Sequence, residues 1–132
     1  MNALLLDTHV LLWWLLKPRK LSRKVHALIE RADVAVSVSV ISIWEMRLKQ
    51  ENGELTLPPG SLASLIEEQN FRLLPLRIEH VNAAADIGAM HGDPYDRLLV
   101  GTARAERSVF VTRDAGILNS AAPVLGELLL EA

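Results

Sequence analysis

Short apolar runs alternate with helix-period segments along this chain, and that alternation restricts the fold more than any other feature. Asn2–Leu6 is an apolar run ending at Asp7, and Val34–Ser39 (VAVSVS) is a β-branched run alternating with period two. Both read as strands. Phe71–Leu76 and Ser108–Thr112 (SVFVT) add two more. Helical signals lie between them. Val10–Leu16 stops before Pro18, and Ser22 can cap a helix Arg23–Ala32 whose Val25, Leu28 and Ile29 recur at helical spacing. Ile41–Glu51 closes at Asn52-Gly53, and Ser61, after the turn Pro58-Pro59-Gly60, can cap Leu62–Gln69. Glu79–Met90 reads as a helix, Gly92-Asp93-Pro94 breaks the chain, and Asp93 before Pro94 opens the helix Tyr95–Arg107. The tail Val124–Leu130 suits either a strand or a helix. The alternation predicts an α/β domain: a mostly parallel central sheet flanked by helices on both faces.

The 132 residues carry no internal repeat or linker, so residues 1–132 are expected to form one domain. A chain of that length buries enough surface to hold a core without a staple. The absence of cysteine excludes disulfide scaffolds, zinc ribbons and thiol nucleophiles. The apolar stretch Ala3–Leu16 is interrupted by Asp7, Thr8 and His9, is too short to span a bilayer and lacks a basic leader. A soluble, cytoplasmic protein is expected.

Net charge is −2, so binding nucleic acid would need local positive charge, not a global excess. Lys17, Arg19, Lys20, Arg23 and Lys24 fall within eight residues and form one such cluster, although a solvated loop and helix face is the favoured reading of it. Trp13, Trp14 and Trp44 lie in apolar helices and read as core or interface residues.

Four acids stand out against this frame. Open parallel sheets bind ligands beyond the carboxyl ends of their strands. Asp7 lies just past the first strand and Asp114 just past the fourth. Glu45 falls between Ile41 and Leu48 on a stripe that includes Trp44, and Asp96 precedes Leu99, Val100 and Ala103 at helical spacing, so both are expected to point inward. Inward carboxylates are costly unless paired or metal-bound, and no inward Lys or Arg matches these two. Each acid also has a plainer role: Asp7 and Asp114 as caps, Asp96 as part of an acidic first turn, Glu45 as a rim residue. Their convergence on one sheet edge favours a cation. Clustered carboxylates suit Mg²⁺ or Mn²⁺, ions that serve phosphodiester hydrolysis. Among other motifs, His91-Gly92-Asp93 lacks the later histidine of an iron-oxygenase triad, and no phosphate-binding glycine loop, H-E-x-x-H or nucleophile elbow is present.

At these residues the sequence resembles a PIN-domain ribonuclease of the VapC toxin family, the toxin half of a VapBC pair. The resemblance rests on DTHVLLWWL at 7–15, SVISIWEM at 39–46, GELTLP at 53–58, HGDPYDRLLVGTA at 91–103 and VTRD at 111–114. It implies that Asp7, Glu45, Asp96 and Asp114 match the family's acidic metal site, with Asp7 and Asp96 as primary ligands. It also implies that Thr112 supplies a supporting hydroxyl and that Asp93 caps. Further implications are Mg²⁺- or Mn²⁺-dependent cleavage of RNA, a homodimer, and neutralisation by a VapB-like antitoxin that places a segment, often with an Arg, against the acids. Departures are small: Tyr95 stands where Phe is common, and Gly101 where a better helix former is usual, which suggests close packing there.

Two competing readings are a receiver-type Mg²⁺-binding signalling domain and a PIN-fold binding protein without activity. The first expects an acidic neighbour for Asp7 and a late Lys, and no Lys occurs after Lys49.

Overall fold

The computed structural model describes residues 2–88, 90 and 93–132. At its centre is β1 (Ala3–Leu6), whose Leu4, Leu5 and Leu6 are fully buried. β1 pairs in parallel with β2 (Ala35–Ser39) on one side and β4 (Val109–Thr112) on the other. β3 (Arg72–Leu74) and β5 (Leu129–Glu131) form the edges, so the all-parallel sheet has the order β3-β2-β1-β4-β5. The expected mostly parallel sheet is therefore present. Its order also differs from the 2-1-3-4-5 arrangement of receiver-type domains.

The pleat divides the leucines between two cores. Leu4 and Leu6 pack with Val36, Val38, Val109 and Val111 beneath α1 (Thr8–Leu16), α2 (Arg23–Glu30) and α4 (Leu62–Glu68). Leu5 and Phe110 point the other way, against α6 (Pro94–Glu106) and α7 (Ala115–Leu125). Each such buried side chain stabilises the fold by about 1.5–3 kcal/mol relative to exposure. Two further helices, α3 (Val40–Glu51) and α5 (Ile78–Ala85), complete the crossovers.

Several expected boundaries shift for local reasons. The third strand is confined to Arg72–Leu74, because Pro75 has no N–H to extend the ladder. The helix expected over Glu79–Met90 ends at Ala85, and Gly88 then adopts φ +77°, a turn conformation that suits glycine. The expected break at Gly92 and the His91-Gly92-Asp93 motif lie partly outside the described residues. The sequence offers α7 only a candidate cap, Asp114, and no bounds. Gly116 and Pro123 weaken its helical signal, yet Ile117, Ala121 and Leu125 recur every four residues and are buried. The ambiguous tail is divided: Val124 and Leu125 end α7, a 3₁₀ turn follows at Gly126–Leu128, and β5 closes the sheet. Of the tryptophans, read as core or interface residues, two pack against the core and one lies at the surface. Trp13 and Trp14 are half-buried against the core, whereas Trp44 is 55% exposed.

Candidate metal centre

The chain leaves β1 towards β2 and β3, then returns to build β4 and β5 on the opposite side. The switch point therefore lies between β1 and β4, where a crevice opens beyond their carboxyl ends. Asp7 directly follows β1, and Asp114 comes two residues after β4. α3 begins where β2 ends, so Glu45 in its second turn stays near this edge. α6 runs back across the sheet to feed β4, which leaves its N-terminus, with Asp96, at the same edge. Four separate elements thus bring Asp7, Glu45, Asp96 and Asp114 to one cleft of about 370 Å³, with Asp93, His9 and Lys49 also on its wall.

Capping and site-building turn out to be compatible. Asp7 caps α1 through Oδ1, which accepts from Thr8 N–H at 2.8 Å, while its Oδ2 accepts from the Thr112 hydroxyl at 2.7 Å. The Thr112 hydroxyl in turn accepts from Asp114 N–H at 3.2 Å, and Asp114 Oδ1 caps α7 at Ile117 N–H, 2.9 Å. One threonine therefore ties the two strand-end acids together. Asp93 caps α6, with its Oδ1 accepting from Tyr95 N–H at 2.8 Å and Asp96 N–H at 3.1 Å. Its expected capping role is the one seen.

Glu45 points to the cleft, but not on the stripe read from the sequence. The buried positions of α3 are Ser42 and Met46, offset from the Ile41–Trp44–Leu48 line, and Trp44 faces solvent. Glu45 is instead held by a hydroxyl pair that the sequence reading passed over. Thr8 Oγ1 lies 2.9 Å from both Glu45 Oε1 and Ser42 Oγ. A carboxylate can only accept, so Thr8 donates to Glu45 and accepts from Ser42. Both hydroxyls are buried. Their spacing to Asp7 and Glu45 was the available signal: Thr8 adjoins one acid and Ser42 precedes the other by nearly one helical turn. The expectation that no cation accompanies the helical acids also needs correction. Lys49, one turn beyond Glu45, places its ammonium 4.0 Å from Glu45 Oε2.

Electrostatics mark this cleft as short of positive charge. Burial pushes the Asp7 carboxyl above its ordinary value, the Thr112 and Thr8 hydrogen bonds oppose the rise, and nearby Glu45 adds to it. Asp96 is raised to about 7, first by burial and then by Asp93, Asp7, Glu45 and Asp114. Among the described residues, no three His, Cys, Asp or Glu side chains are arranged to grip a metal ion directly. The donors nevertheless suit a hard divalent cation: they are all oxygen, they repel one another, and burial makes their charge costly. Mg²⁺ commonly keeps several waters and needs only one or two carboxylates, which matches an open cleft better than a closed cage.

Comparison with known proteins agrees with this fold and size. The PIN domain family model matches residues 4–122. Over 116 residues, covering 86% of this chain and 88% of that protein, the sequence is 33% identical to Ribonuclease VapC22 of Mycobacterium tuberculosis (strain ATCC 25618 / H37Rv). The fold is similar to that in a crystal structure of VapBC2 from Rickettsia felis bound to a DNA fragment from their promoter. The TM-score is 0.63 at 12% identity, covering 98% of this chain and 97% of that one. It is also similar to a structure of FitAB bound to an IR36 DNA fragment, with TM-score 0.62, 23% identity and coverage of 98% and 93%.

Proposed function

The chain belongs to the PIN-domain family, and from that premise we propose that it is a Mg²⁺- or Mn²⁺-dependent endoribonuclease toxin neutralised by a VapB-like antitoxin. The observation that carries the reading is the convergence of four carboxylates, from four elements, on the cleft at the β1–β4 switch point. Its identity to a named ribonuclease along most of both chains points the same way.

Asp7 and Asp96 are the primary holders of the cation in this reading, and Glu45 and Asp114 complete the site directly or through water. A bound divalent cation would neutralise phosphate charge, acidify an attacking water and stabilise the leaving oxygen. The chain's own residues supply the alignment. Thr112 and Thr8 N–H fix both oxygens of Asp7, and the Ser42–Thr8 pair fixes one oxygen of Glu45. Asp96 sits in the first turn of α6, where the helix dipole favours its ionised form against burial and its acidic neighbours.

RNA is the proposed substrate, the cytoplasm the proposed compartment, and a homodimer the proposed toxin form. Among the described residues no helix is long and apolar enough to cross a membrane. An Arg guanidinium from the antitoxin suits the acidic cleft, since paired carboxylate oxygens match its planar donors and its charge competes with metal. Mapping of cleavage sites on total RNA tests the function. Discrete cuts should appear with Mg²⁺ or Mn²⁺ and vanish in EDTA and with Asp7→Asn. Equal cutting by folded Asp7→Asn would remove the acidic centre from the mechanism. No cutting under any metal would favour a binding-only protein instead.

A further inference from the structure

A cation in the carboxylate cleft would engage only the phosphate being cut, so the flanking nucleotides need positive charge placed beside the cleft. The acidic cleft shares His9 and Asp114 with a smaller depression of about 190 Å³, whose remaining lining is Trp13 and Arg113. That depression leads to the cationic cluster. Lys20, in the 3₁₀ turn Pro18–Lys20, holds its ammonium 5.7 Å from the centre of the Trp13 ring. Lys17 and Arg19 flank it and are exposed, as are Arg23 and Lys24 at the start of α2.

Apart from Lys20 over the Trp13 ring, the cluster's side chains carry no partner among the described residues, while Arg113 beside them donates to Ala132 O. Arg31 is paired with Asp33, Arg97 is bonded to backbone carbonyls, and Lys49 stands beside Glu45. Among the described residues no salt bridge engages the cluster at 17–24. An aromatic side chain and cations outside any salt bridge in one strip suit single-stranded nucleic acid, whose bases stack while its phosphates track the charge. An acidic peptide would use the cations but gain little from the ring.

We infer that single-stranded RNA runs from the acidic cleft over His9, Trp13 and Arg113 to Lys20 and Arg19, which form the substrate-binding track. This rests on the ribonuclease reading for its ligand, but it concerns a surface separate from the four acids.

The test uses the paired charge reversal Arg19→Glu with Lys20→Glu, both at exposed positions, in the intact chain and in an Asp7→Asn background. Arg72→Glu, on the edge strand, is the control for a distant reversal. Binding of a fluorescein-labelled single-stranded RNA dodecamer to the Asp7→Asn proteins is followed by anisotropy in Mg²⁺ over a range of salt. The paired reversal should weaken binding roughly tenfold and lower the salt slope by about 1.4, the single-strand value for two phosphate contacts. A 4-thiouridine probe should crosslink to the peptide containing Trp13. In the intact chain, the reversal should raise KM about tenfold while kcat changes much less. Binding and KM equal to those of Arg72→Glu would overturn the track while leaving the ribonuclease reading in place. Track-dependent RNA binding by an intact chain that cleaves nothing would uphold the track and overturn that reading.

Discussion

At Asp7, Thr8 N–H and the Thr112 hydroxyl each engage a different carboxylate oxygen, at 2.8 and 2.7 Å. The carboxyl plane is therefore fixed by the chain's own donors, with Asp7 on the cleft wall. Thr112→Val removes one of these anchors while keeping the shape. It should lower metal affinity and RNA cleavage about 10- to 100-fold, as losses of outer-sphere partners commonly do, and cost about 1–3 kcal/mol in urea unfolding for the orphaned acceptor. Thr112→Ser should restore most of both. Equal loss in the serine variant would mean that the hydroxyl is not what matters. At Asp96 the raised value of about 7 sets a pH dependence. The folded, metal-free chain keeps a proton that the unfolded chain releases near pH 4, so this group's stabilisation is full below about pH 4 and lost as pH rises through about 7. In EDTA, Asp96→Asn should abolish that decline and gain about 1–2 kcal/mol at pH 8, after discounting the half-exposed group for screening. Metal affinity of the intact chain should instead increase from pH 6 to pH 8, since the cation must displace the proton. These roles were half legible in the sequence. Each acid could be placed, but capping and metal holding looked like alternatives, and hydrogen-bond geometry shows Asp7 and Asp114 capping from within the cleft.

Elements position the residues, and α6 is placed by its close approach to α5. A Cβ built on Gly101 would lie 2.5 Å from Ala84 N and 2.7 Å from Ala84 Cα, both backbone atoms of α5. The weak helix former noted in the sequence is thus the price of close helix packing. Gly101→Ala should lower stability by about 1–3 kcal/mol despite its better helix propensity, read as a lower Tm. A higher Tm would show that the two helices can part at little cost. Arg97 acts at the other end of this contact, donating to Ala84 O and Gly88 O at 3.1 Å each and so holding the start of α6 to the end of α5. His80 closes the hairpin from the opposite end: Arg77 N–H donates to its Nδ1, and its Nε2 meets Glu106 at 2.8 Å. Strong local signals made most elements legible, above all Ser22, Ser61 and Asp93, which cap the helices they were expected to cap. The phase of α3 is not legible in the sequence, because Trp44 looks like a core residue and Ser42 does not. The buried partner of Ser42 is the Thr8 hydroxyl, so polarity on that face serves the site and not solvent.

Over the whole molecule, the strand order turns a list of acids into a cleft. Sequence periodicity could suggest a parallel sheet, but only the order β3-β2-β1-β4-β5 places β1 beside β4 and so Asp7 beside Asp114. Pairing across that distance in the chain leaves no local trace in sequence, since Thr112 and Asp7 meet 105 residues apart. The charge balance follows the same division. A net charge of −2 conceals an acidic cleft and a cationic strip joined through His9 and Asp114. That cleft should hold a divalent cation through the carboxylates assigned to it. Calorimetric titration of Mn²⁺ into the intact chain and into Asp7→Asn at pH 8 measures this directly. Saturable binding by the intact chain, weakened at least about tenfold in the folded variant, is the predicted result. Equal Mn²⁺ affinity in the two proteins, or no binding by either, would contradict it.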